Sequence, residues 1–204
     1  MKTFEIKKLS EAIEYMMEKH GADTRKGSTI PYFTHPIGVM NILLEEQSFD
    51  SKINEDVILA GLFHDLNEDA NVTILTIEEK FGKEVARLVK NASEPEGLKK
   101  AKDQIGNWKK RKEHSLNLLR TADKFTKMVI CADKLDNARA IHRDIISGLD
   151  VWKKFNAPFD DIKWYYESIL QLLKSGNSIE NTRMFKLLEI EVNEIFKIPI
   201  KNCG

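Results

Sequence analysis

Hydrophobic residues recur along most of this chain at the three- and four-residue spacing that is typical of amphipathic helices. One such stripe, near the end of the sequence, consists of Phe185, Leu188, Val192 and Phe196. The pattern predicts helices at about residues 9–20, 36–46, 55–67, 76–92, 107–121, 123–147, 160–174 and 179–197. No stretch of useful length alternates between hydrophobic and polar residues, so we expect no β-sheet.

The predicted helices indicate a single all-α domain. A chain of 204 residues is long enough for one well-filled core and short for two. The polar run from Ser175 to Ser178 should break the helical pattern. We therefore expect a main domain over residues 1–174 and a C-terminal helical extension over residues 175–204 that packs on the same domain. The stripe in the last helix could either cover the core or form the seam of a homodimer, and the pattern allows both.

The balance of charges excludes one large class of function. Lysine and arginine together number 32, aspartate and glutamate also number 32, and the formal net charge is therefore zero. A dedicated DNA- or RNA-binding protein usually carries a basic excess. No segment approaches the ~20 apolar residues of a membrane-spanning helix, and two cysteines cannot build a disulfide framework. We expect a cytoplasmic protein without nucleic-acid or membrane partners.

A run of polar residues follows directly after the most hydrophobic segment of a predicted helix. Residues 57–60 are all apolar, and His64, Asp65, Glu68 and Asp69 come soon after them. If the helix continues through this run, Glu68 lies one turn beyond His64, and Asp69 lies one turn beyond Asp65. This arrangement predicts a histidine–aspartate pair that binds a metal, with a carboxylate pair on the same side. The alternative is an ordinary solvated helix end.

Two further residues of the same types stand beside hydrophobic runs elsewhere in the chain. His35 precedes an apolar series, and Asp133 directly follows the apolar residues 128–132. A charge in such a place is costly to bury unless it is paired or bound to a metal. Together with His64 and Asp65, they form a set of two imidazoles and two carboxylates. Such a set suits a first-row divalent ion such as Mn²⁺ better than a structural zinc ion, which favours thiolates.

Cationic and amide side chains near these residues are candidates for binding phosphate groups. Arg25 and Lys26 occupy a predicted loop before the first metal-ligand candidate. Asn137 lies four residues after Asp133, on the same helix face, and Arg139 follows it. For Arg25 and Lys26 an exposed basic turn remains the alternative, and for Arg139 an ordinary solvated arginine.

Other features favour a structural interpretation. The basic run over residues 99–112 could gather a polyphosphate substrate, but in a neutral chain a solvated helix face is the simpler interpretation. The aromatic residues 164–166 could stack on a base, yet their helical spacing with apolar neighbours favours the core. Three histidines have no ligand-like context and are interpreted as ordinary helix residues: His20, His114 and His142.

Three segments together resemble a known family. They run from Arg25 to Pro36, from His64 to Asp69 and from Ala132 to Arg139. They are similar to the HD-domain phosphohydrolases, and in particular to the hydrolase domain of RelA/SpoT-type proteins and the small alarmone hydrolases. The resemblance covers about residues 8–147 and implies that the all-α fold is an HD-domain helical bundle.

The resemblance also implies an activity. Those enzymes remove the 3′-pyrophosphate from guanosine tetra- and pentaphosphate (ppGpp and pppGpp), usually with manganese. We therefore expect a Mn²⁺-dependent hydrolase with a nucleotide substrate and without a synthetase domain. The residues that the resemblance assigns are the metal ligands His35, His64, Asp65 and Asp133, the catalytic residues Glu68 and Asp69, and the substrate contacts Arg25, Lys26 and Asn137.

The chain departs from the family pattern at several positions, and these motivate two other hypotheses. Ile30 stands where glycine is usual, Ala70 where threonine is expected, and Asp136 where histidine or tyrosine is common. A negative charge is unfavourable beside a polyphosphate. The substrate could therefore be another nucleotide or a phosphoester. A nucleotide-sensing module without turnover is the third hypothesis, although all four ligand types are present.

Overall fold

A computed structural model describes residues 5–70, 72–93 and 107–197 of the chain. In these ranges the only extended pairing is a single antiparallel bridge between Thr24 and Pro31, and the prediction of an all-α fold is confirmed. The helices are α1 Ile6–His20, α2 Thr34–Gln47, α3 Glu55–Phe63, α4 Leu66–Asp69, α5 Ile74–Phe81, α6 Lys83–Ala92, α7 Trp108–Thr121, α8 Lys124–Ile146, α9 Phe159–Lys174 and α10 Arg183–Lys197, with a short 3₁₀ helix at Val151–Lys154.

Helix α8 is the centre of the bundle, because α2, α3, α6 and α10 all pack against it. It begins at Asp123, whose carboxylate accepts hydrogen bonds from the backbone amides of Phe125 and Thr126 at 2.9 and 3.0 Å. Such a cap satisfies amides that the first helical turn leaves without partners. Buried residues occur on several faces of α8, as its central position requires. None of the described helices is long and apolar enough to span a membrane.

The chain breaks its helical path at His64 and Asp65. The prediction of one continuous helix over residues 55–67 is wrong, since α3 ends at Phe63 and the short α4 starts at Leu66. The Nδ1 atom of His64 lies 2.9 Å from the carbonyl oxygen of Gly61, and this side-chain bond accompanies the break. Glu68 therefore follows a turn and does not stack above His64 on one helix face.

A second predicted helix, over residues 76–92, is also divided. Its two parts, α5 and α6, meet at Gly82, whose φ of 102° lies in a region that only glycine adopts readily. The hydrophobic spacing continues across the break, with Ile77 in α5 and Val85 in α6 both buried. The periodicity therefore marked the buried face but not the change of direction.

The last helix covers the core. Met184, Phe185, Leu188, Val192 and Ile195 of α10 are buried, and α10 packs mainly on α8. The division of the chain near residue 174 stays a prediction.

A buried carboxylate fixes the beginning of this helix. Glu46 near the end of α2 is 3% exposed. Its two oxygens accept hydrogen bonds from the backbone amides of Arg183 and Met184 at 3.1 and 2.8 Å. These are amides of the first turn of α10, which have no acceptor within the helix. One side chain therefore joins the end of α2 to the start of α10.

Removal of this carboxylate should weaken the whole fold. Glu46→Ala is expected to lower the free energy of unfolding by about 1–3 kcal/mol, because buried amides lose their acceptor. Urea denaturation followed by circular dichroism measures this change. The neighbouring Glu45 forms an exposed ion pair with Arg183 at 3.0 Å. Glu45→Ala is the matched control and should cost less than about 1 kcal/mol. Equal losses in the two variants would contradict the capping role of Glu46.

Candidate functional site

Three separate elements bring the predicted metal ligands together. His35 stands in the first turn of α2, His64 and Asp65 form the turn between α3 and α4, and Asp133 lies in the middle of α8. Pro36 follows His35 within the first turn of α2, where proline is tolerated because its missing N–H has no helical partner. The packing of α2 and α3 on α8 therefore places side chains from distant parts of the sequence in one buried region.

Short distances join Asp133 to His35 and His64, and the same two histidines form a compact group with Asp65. His35 Nε2 is 3.3 Å from Asp133 Oδ1, and His64 Nε2 is 3.7 Å from the same oxygen. One ligand atom from each of His35, His64 and Asp65 can be chosen so that all three lie within 4.8 Å of one another. Asp133 joins this group through its short distances to both imidazoles. The structure thus brings all four predicted ligands together.

The chemistry of this group fits a divalent metal ion. The Nδ1 atom of His64 faces the Gly61 carbonyl, which can only accept, so its Nε2 lone pair is directed to the cluster. Among the described residues, Asp65 Oδ1 is buried without a hydrogen bond of good geometry. A buried carboxylate oxygen of this kind is costly unless a cation compensates it. His35, His64, Asp65 and Asp133 could therefore hold such an ion.

Charged side chains within the cluster shift one another's pKa values. Burial alone would lower the pKa of His35, but hydrogen bonds to Asp133 and Asp136 outweigh it and raise the pKa to about 9. Burial would raise the pKa of Asp65, yet the charges of the nearby histidines hold it well below its ordinary value. The pKa of Asp133 is also lowered against the effect of burial, chiefly by the charge of Lys134. Both carboxylates are therefore ionised, as metal ligands must be.

Asp65 is held by two residues that the sequence did not indicate. The hydroxyl of Tyr32 donates a hydrogen bond to Asp65 Oδ2 at 2.7 Å. His20 is 2% exposed, and its Nε2 lies 3.2 Å from Asp65 Oδ1. The prediction that His20 is an ordinary helix residue is therefore wrong. Partners of this kind orient metal-binding carboxylates. The only signal in the sequence was the position of His20, directly before the loop that carries Arg25.

The charge of Asp136 is compensated inside the site. Its Oδ2 lies 2.7 Å from Nδ1 of His35 and accepts a hydrogen bond from Nη1 of Arg25 at 3.1 Å. Asp136 therefore does not place an uncompensated charge beside a substrate. The sequence showed a negative charge at position 136 but not the residues that compensate it, because those residues are brought to Asp136 only by the fold.

The loop between α1 and α2 places cations at the edge of the cluster. Arg25 Nη2 donates a hydrogen bond to Asn137 Oδ1 at 3.0 Å, and Asn137 Nδ2 in turn donates to Asp133 Oδ1. Lys26 reaches the opposite segment, where its Nζ is 3.1 Å from Asn156 Oδ1. Of the predicted substrate contacts, Asn137 is thus bonded directly to the metal-ligand candidate Asp133, and Arg25 reaches it through Asn137.

A cavity of about 520 Å³ opens over the cluster. Glu68 lines it together with Arg25, Lys26 and Asn137. Arg139 is not among its described lining residues, whereas Arg143, one helical turn later, is. The side chain of Asp69 lies outside the described part of the structure. The roles of Glu68, Asp69 and Arg139 stay predictions.

The opposite wall of the cavity combines cations with aromatic rings. Tyr165 and Tyr166 are buried, as the core interpretation expects, and both also line the cavity. The basic run over residues 99–112 is only partly described, and residues 99–106 lie outside the described ranges. At its end, Arg111 and Lys112 of α7 line the cavity. The solvated-face interpretation is therefore wrong for these two residues.

Comparison with known protein families matches residues 12–157 to the family described as HD domain. The chain belongs to the HD-domain family. Among the curated proteins, the chain is 30% identical over 171 residues to the mouse protein named guanosine-3′,5′-bis(diphosphate) 3′-pyrophosphohydrolase MESH1, covering 83% of this chain and 85% of that protein. The predicted resemblance to HD-domain phosphohydrolases, with alarmone hydrolases as relatives, is confirmed.

Two solved structures are similar to this HD-domain chain. The protein lmo0812 from Listeria monocytogenes EGD-e is 33% identical and has a TM-score of 0.68. The alignment covers 80% of this chain and 99% of that one. A metazoan ortholog of SpoT that hydrolyzes ppGpp is 26% identical, with a TM-score of 0.71 that covers 96% of this chain and 97% of that one. The similarity therefore extends beyond the residues that match the HD-domain family.

The HD-domain cluster predicts a loss of metal binding in its variants. His64→Ala and Asp133→Ala should each weaken the binding of a divalent cation by more than about 10-fold, because each removes a ligand from a buried group. Calorimetric titration of metal-stripped protein with Mn²⁺, Mg²⁺ and Zn²⁺ measures the affinities. His142 is a suitable control, since it pairs with Glu191 at 2.7 Å on another face of α8. Unchanged affinity in both ligand variants would contradict the site.

Proposed function

We propose that this chain hydrolyses the 3′-pyrophosphate of guanosine 3′,5′-bis(diphosphate) and of its pentaphosphate analogue in a Mn²⁺-dependent reaction. The observation that carries this proposal is the convergence of His35, His64, Asp65 and Asp133 beneath a cavity with a cationic rim. The names of the relatives support the substrate, because the mouse relative is named a guanosine-3′,5′-bis(diphosphate) 3′-pyrophosphohydrolase.

The donor atoms support a first-row divalent ion, and the family resemblance favours Mn²⁺ among the ions of that class. Two imidazole nitrogens and carboxylate oxygens form a mixed set that suits a first-row divalent ion. When bound, such an ion supplies Lewis-acid polarisation of a phosphoryl oxygen and neutralises developing charge. His35 and His64 would provide the nitrogen donors, and Asp65 and Asp133 the oxygen donors. Tyr32 and His20 would hold Asp65 in position.

Glu68 is the candidate for moving the proton of the reaction. It lines the cavity beside the cluster, and its backbone amide donates a hydrogen bond to the carbonyl of Asp65. In hydrolysis, water attacks the phosphorus that is joined to the ribose 3′-oxygen. The bond between this phosphorus and the 3′-oxygen breaks. Glu68 would accept the proton of the water and pass it to the 3′-oxygen, which would leave as a hydroxyl. Asp69 is assigned to the same step on its family resemblance.

The rim residues would bind the polyphosphate and the ribose. Arg25 presents a planar guanidinium that is already fixed by Asp136 and Asn137, so little of its conformational freedom remains to be lost. Lys26 adds a second positive charge on the same loop. Arg143 and Lys154 also line this part of the cavity. Arg139 is assigned to the phosphate from its place in the sequence near Asn137, and it is not among the described residues that line the cavity.

Replacement of the proposed base should affect the chemical step alone. Glu68→Gln is expected to reduce kcat by about 10²–10⁴-fold, the usual contribution of general acid–base catalysis. The affinity for Mn²⁺ should stay unchanged, because Glu68 is not among the ligands. Glu79→Gln, an exposed glutamate on α5, is the matched control. Wild-type turnover in Glu68→Gln would contradict the assigned role.

The substrate is tested by the release of pyrophosphate from guanosine tetraphosphate. Purified protein should release pyrophosphate only when Mn²⁺ is added to metal-stripped enzyme, and Asp65→Ala should abolish the release. Nucleoside monophosphates and other nucleotides serve as competing substrates in the same assay. Phosphate release from one of these, without turnover of guanosine tetraphosphate, would favour the hypothesis of another nucleotide substrate. Binding of Mn²⁺ and nucleotide without any turnover would favour a sensing module.

A further inference from the structure

Asp136 connects two parts of the site that have separate roles in the proposed function. One oxygen of its carboxylate, Oδ2, lies 2.7 Å from Nδ1 of His35 and 3.1 Å from Nη1 of Arg25. His35 is a metal-ligand candidate, and Arg25 is a candidate for phosphate binding. A single oxygen atom is therefore shared by the metal side and the substrate side of the cavity.

The contacts of Asp136 belong to a closed ring of five side chains. From Asp136 the ring passes through Arg25 to Asn137, then to Asp133, and from Asp133 to Nε2 of His35. The Nδ1 atom of His35 closes the ring at Asp136. A displacement of one member must therefore alter its neighbours on both sides.

The orientation of His35 depends on this contact. A carboxylate can only accept a hydrogen bond, so the proton of Nδ1 points to Asp136. The other ring nitrogen, Nε2, then faces Asp133 and the metal-ligand cluster. In metal sites, a carboxylate that accepts from the distal ring nitrogen of a histidine fixes the ring and increases the basicity of the ligand nitrogen.

Helix α2 has a glycine at the position where it faces the carboxylate of Asp136. Gly38 lies one turn after His35 on α2, and a Cβ atom built at Gly38 would overlap Oδ1 of Asp136. No larger residue could stand there without displacing the carboxylate. The close approach of α2 to α8 at this point is therefore matched to an acidic side chain at position 136.

The burial of the contact distinguishes it from an ordinary surface ion pair. The side chains of Asp136 and Arg25 are 18% and 17% exposed, and that of His35 is 5% exposed. At the other end of α2, Asp50 and Lys124 form a second link to α8, with a distance of 2.7 Å and an Asp50 side chain that is 21% exposed. The pair of Asp50 and Lys124 includes no candidate ligand, and it serves as an example of a purely structural ion pair in this molecule.

We propose that Asp136 is a positioning residue that holds His35 for metal binding and Arg25 for substrate binding at the same time, so that the two affinities depend on one side chain. The substrate half of this proposal rests on the proposed function. The metal half rests only on the cluster of histidines and aspartates.

The variant Asp136→Asn tests the proposal, because it keeps the size of the side chain and removes its charge. Its Kd for Mn²⁺, measured by calorimetry on the metal-stripped full-length chain, should rise about 10–100-fold. At saturating Mn²⁺, its KM for guanosine tetraphosphate should rise about 10-fold, because Arg25 loses a charged hydrogen-bond partner. The value of kcat under those conditions should change by less than about 3-fold, since no group that moves protons is lost.

Three further single variants and one double variant separate positioning from a structural effect. Asp50→Asn is the matched control, because the Asp50 side chain has a similar exposure and pairs with Lys124 of α8. It should leave the Kd for Mn²⁺ and the KM unchanged. Arg25→Ala should raise the KM by itself, and Asp136→Asn should then add no further increase in the double variant. Gly38→Ala keeps the carboxylate but displaces it, and should weaken Mn²⁺ binding as Asp136→Asn does.

Each outcome decides the matter. A Kd for Mn²⁺ in Asp136→Asn that equals that of Asp50→Asn would overturn the metal half of the proposal. Independent, additive effects of Asp136→Asn and Arg25→Ala on the KM would overturn the substrate half. If the wild-type protein does not hydrolyse guanosine tetraphosphate, the proposed function fails, but the Mn²⁺ titrations still apply. In that case, calorimetric binding of inorganic pyrophosphate to the same four variants replaces the KM measurement.

Discussion

The carboxylate of Asp133, only 13% exposed in the middle of the central helix, is the constraint on which the site depends. A carboxylate is costly to remove from water unless several groups compensate its charge. Here the compensation comes from His35 and His64 on neighbouring elements, from Asn137 one turn later, and from Lys134 beside it. The packing of α2 and α3 against α8 therefore serves both the hydrophobic core and this charge, because it brings the first turn of α2 and the turn after α3 to Asp133.

The types of the site residues could be predicted from the sequence, but not the path of the chain between them. Histidine and aspartate beside hydrophobic runs are conspicuous, because such places normally exclude charge. A segment with helical periodicity is predicted as one continuous helix. The residues around His64 include no signal that α3 would end before it. The bond from the His64 ring to the Gly61 carbonyl and the contacts of Tyr32 and His20 with Asp65 accompany that break. Tyr32 and His20 are both distant from Asp65 in the sequence.

Residues that support the ligands were invisible for a related reason. Asp136 looked unfavourable because a sequence displays a charge without its partners, and its partners His35 and Arg25 are about a hundred residues away. A sequence also places residues on a helix face only approximately. For that reason Arg139 was a natural candidate for the cavity, while Arg143 lines it. The fold class and the ligand set follow from local pattern, whereas the second layer of contacts follows from tertiary packing.

Helix α2 has a candidate metal ligand, His35, in its first turn and the capping carboxylate of Glu46 in its last. A single inserted or deleted residue between them would rotate one end relative to the other by about 100° and shift it by about 1.5 Å along the axis. Either the imidazole would leave the cluster, or the final helix would lose its anchor. We therefore expect insertions and deletions to be tolerated in the loops on both sides of α2 and not within the helix. The length of α2 therefore fixes the distance between the metal-ligand cluster and the start of the last helix.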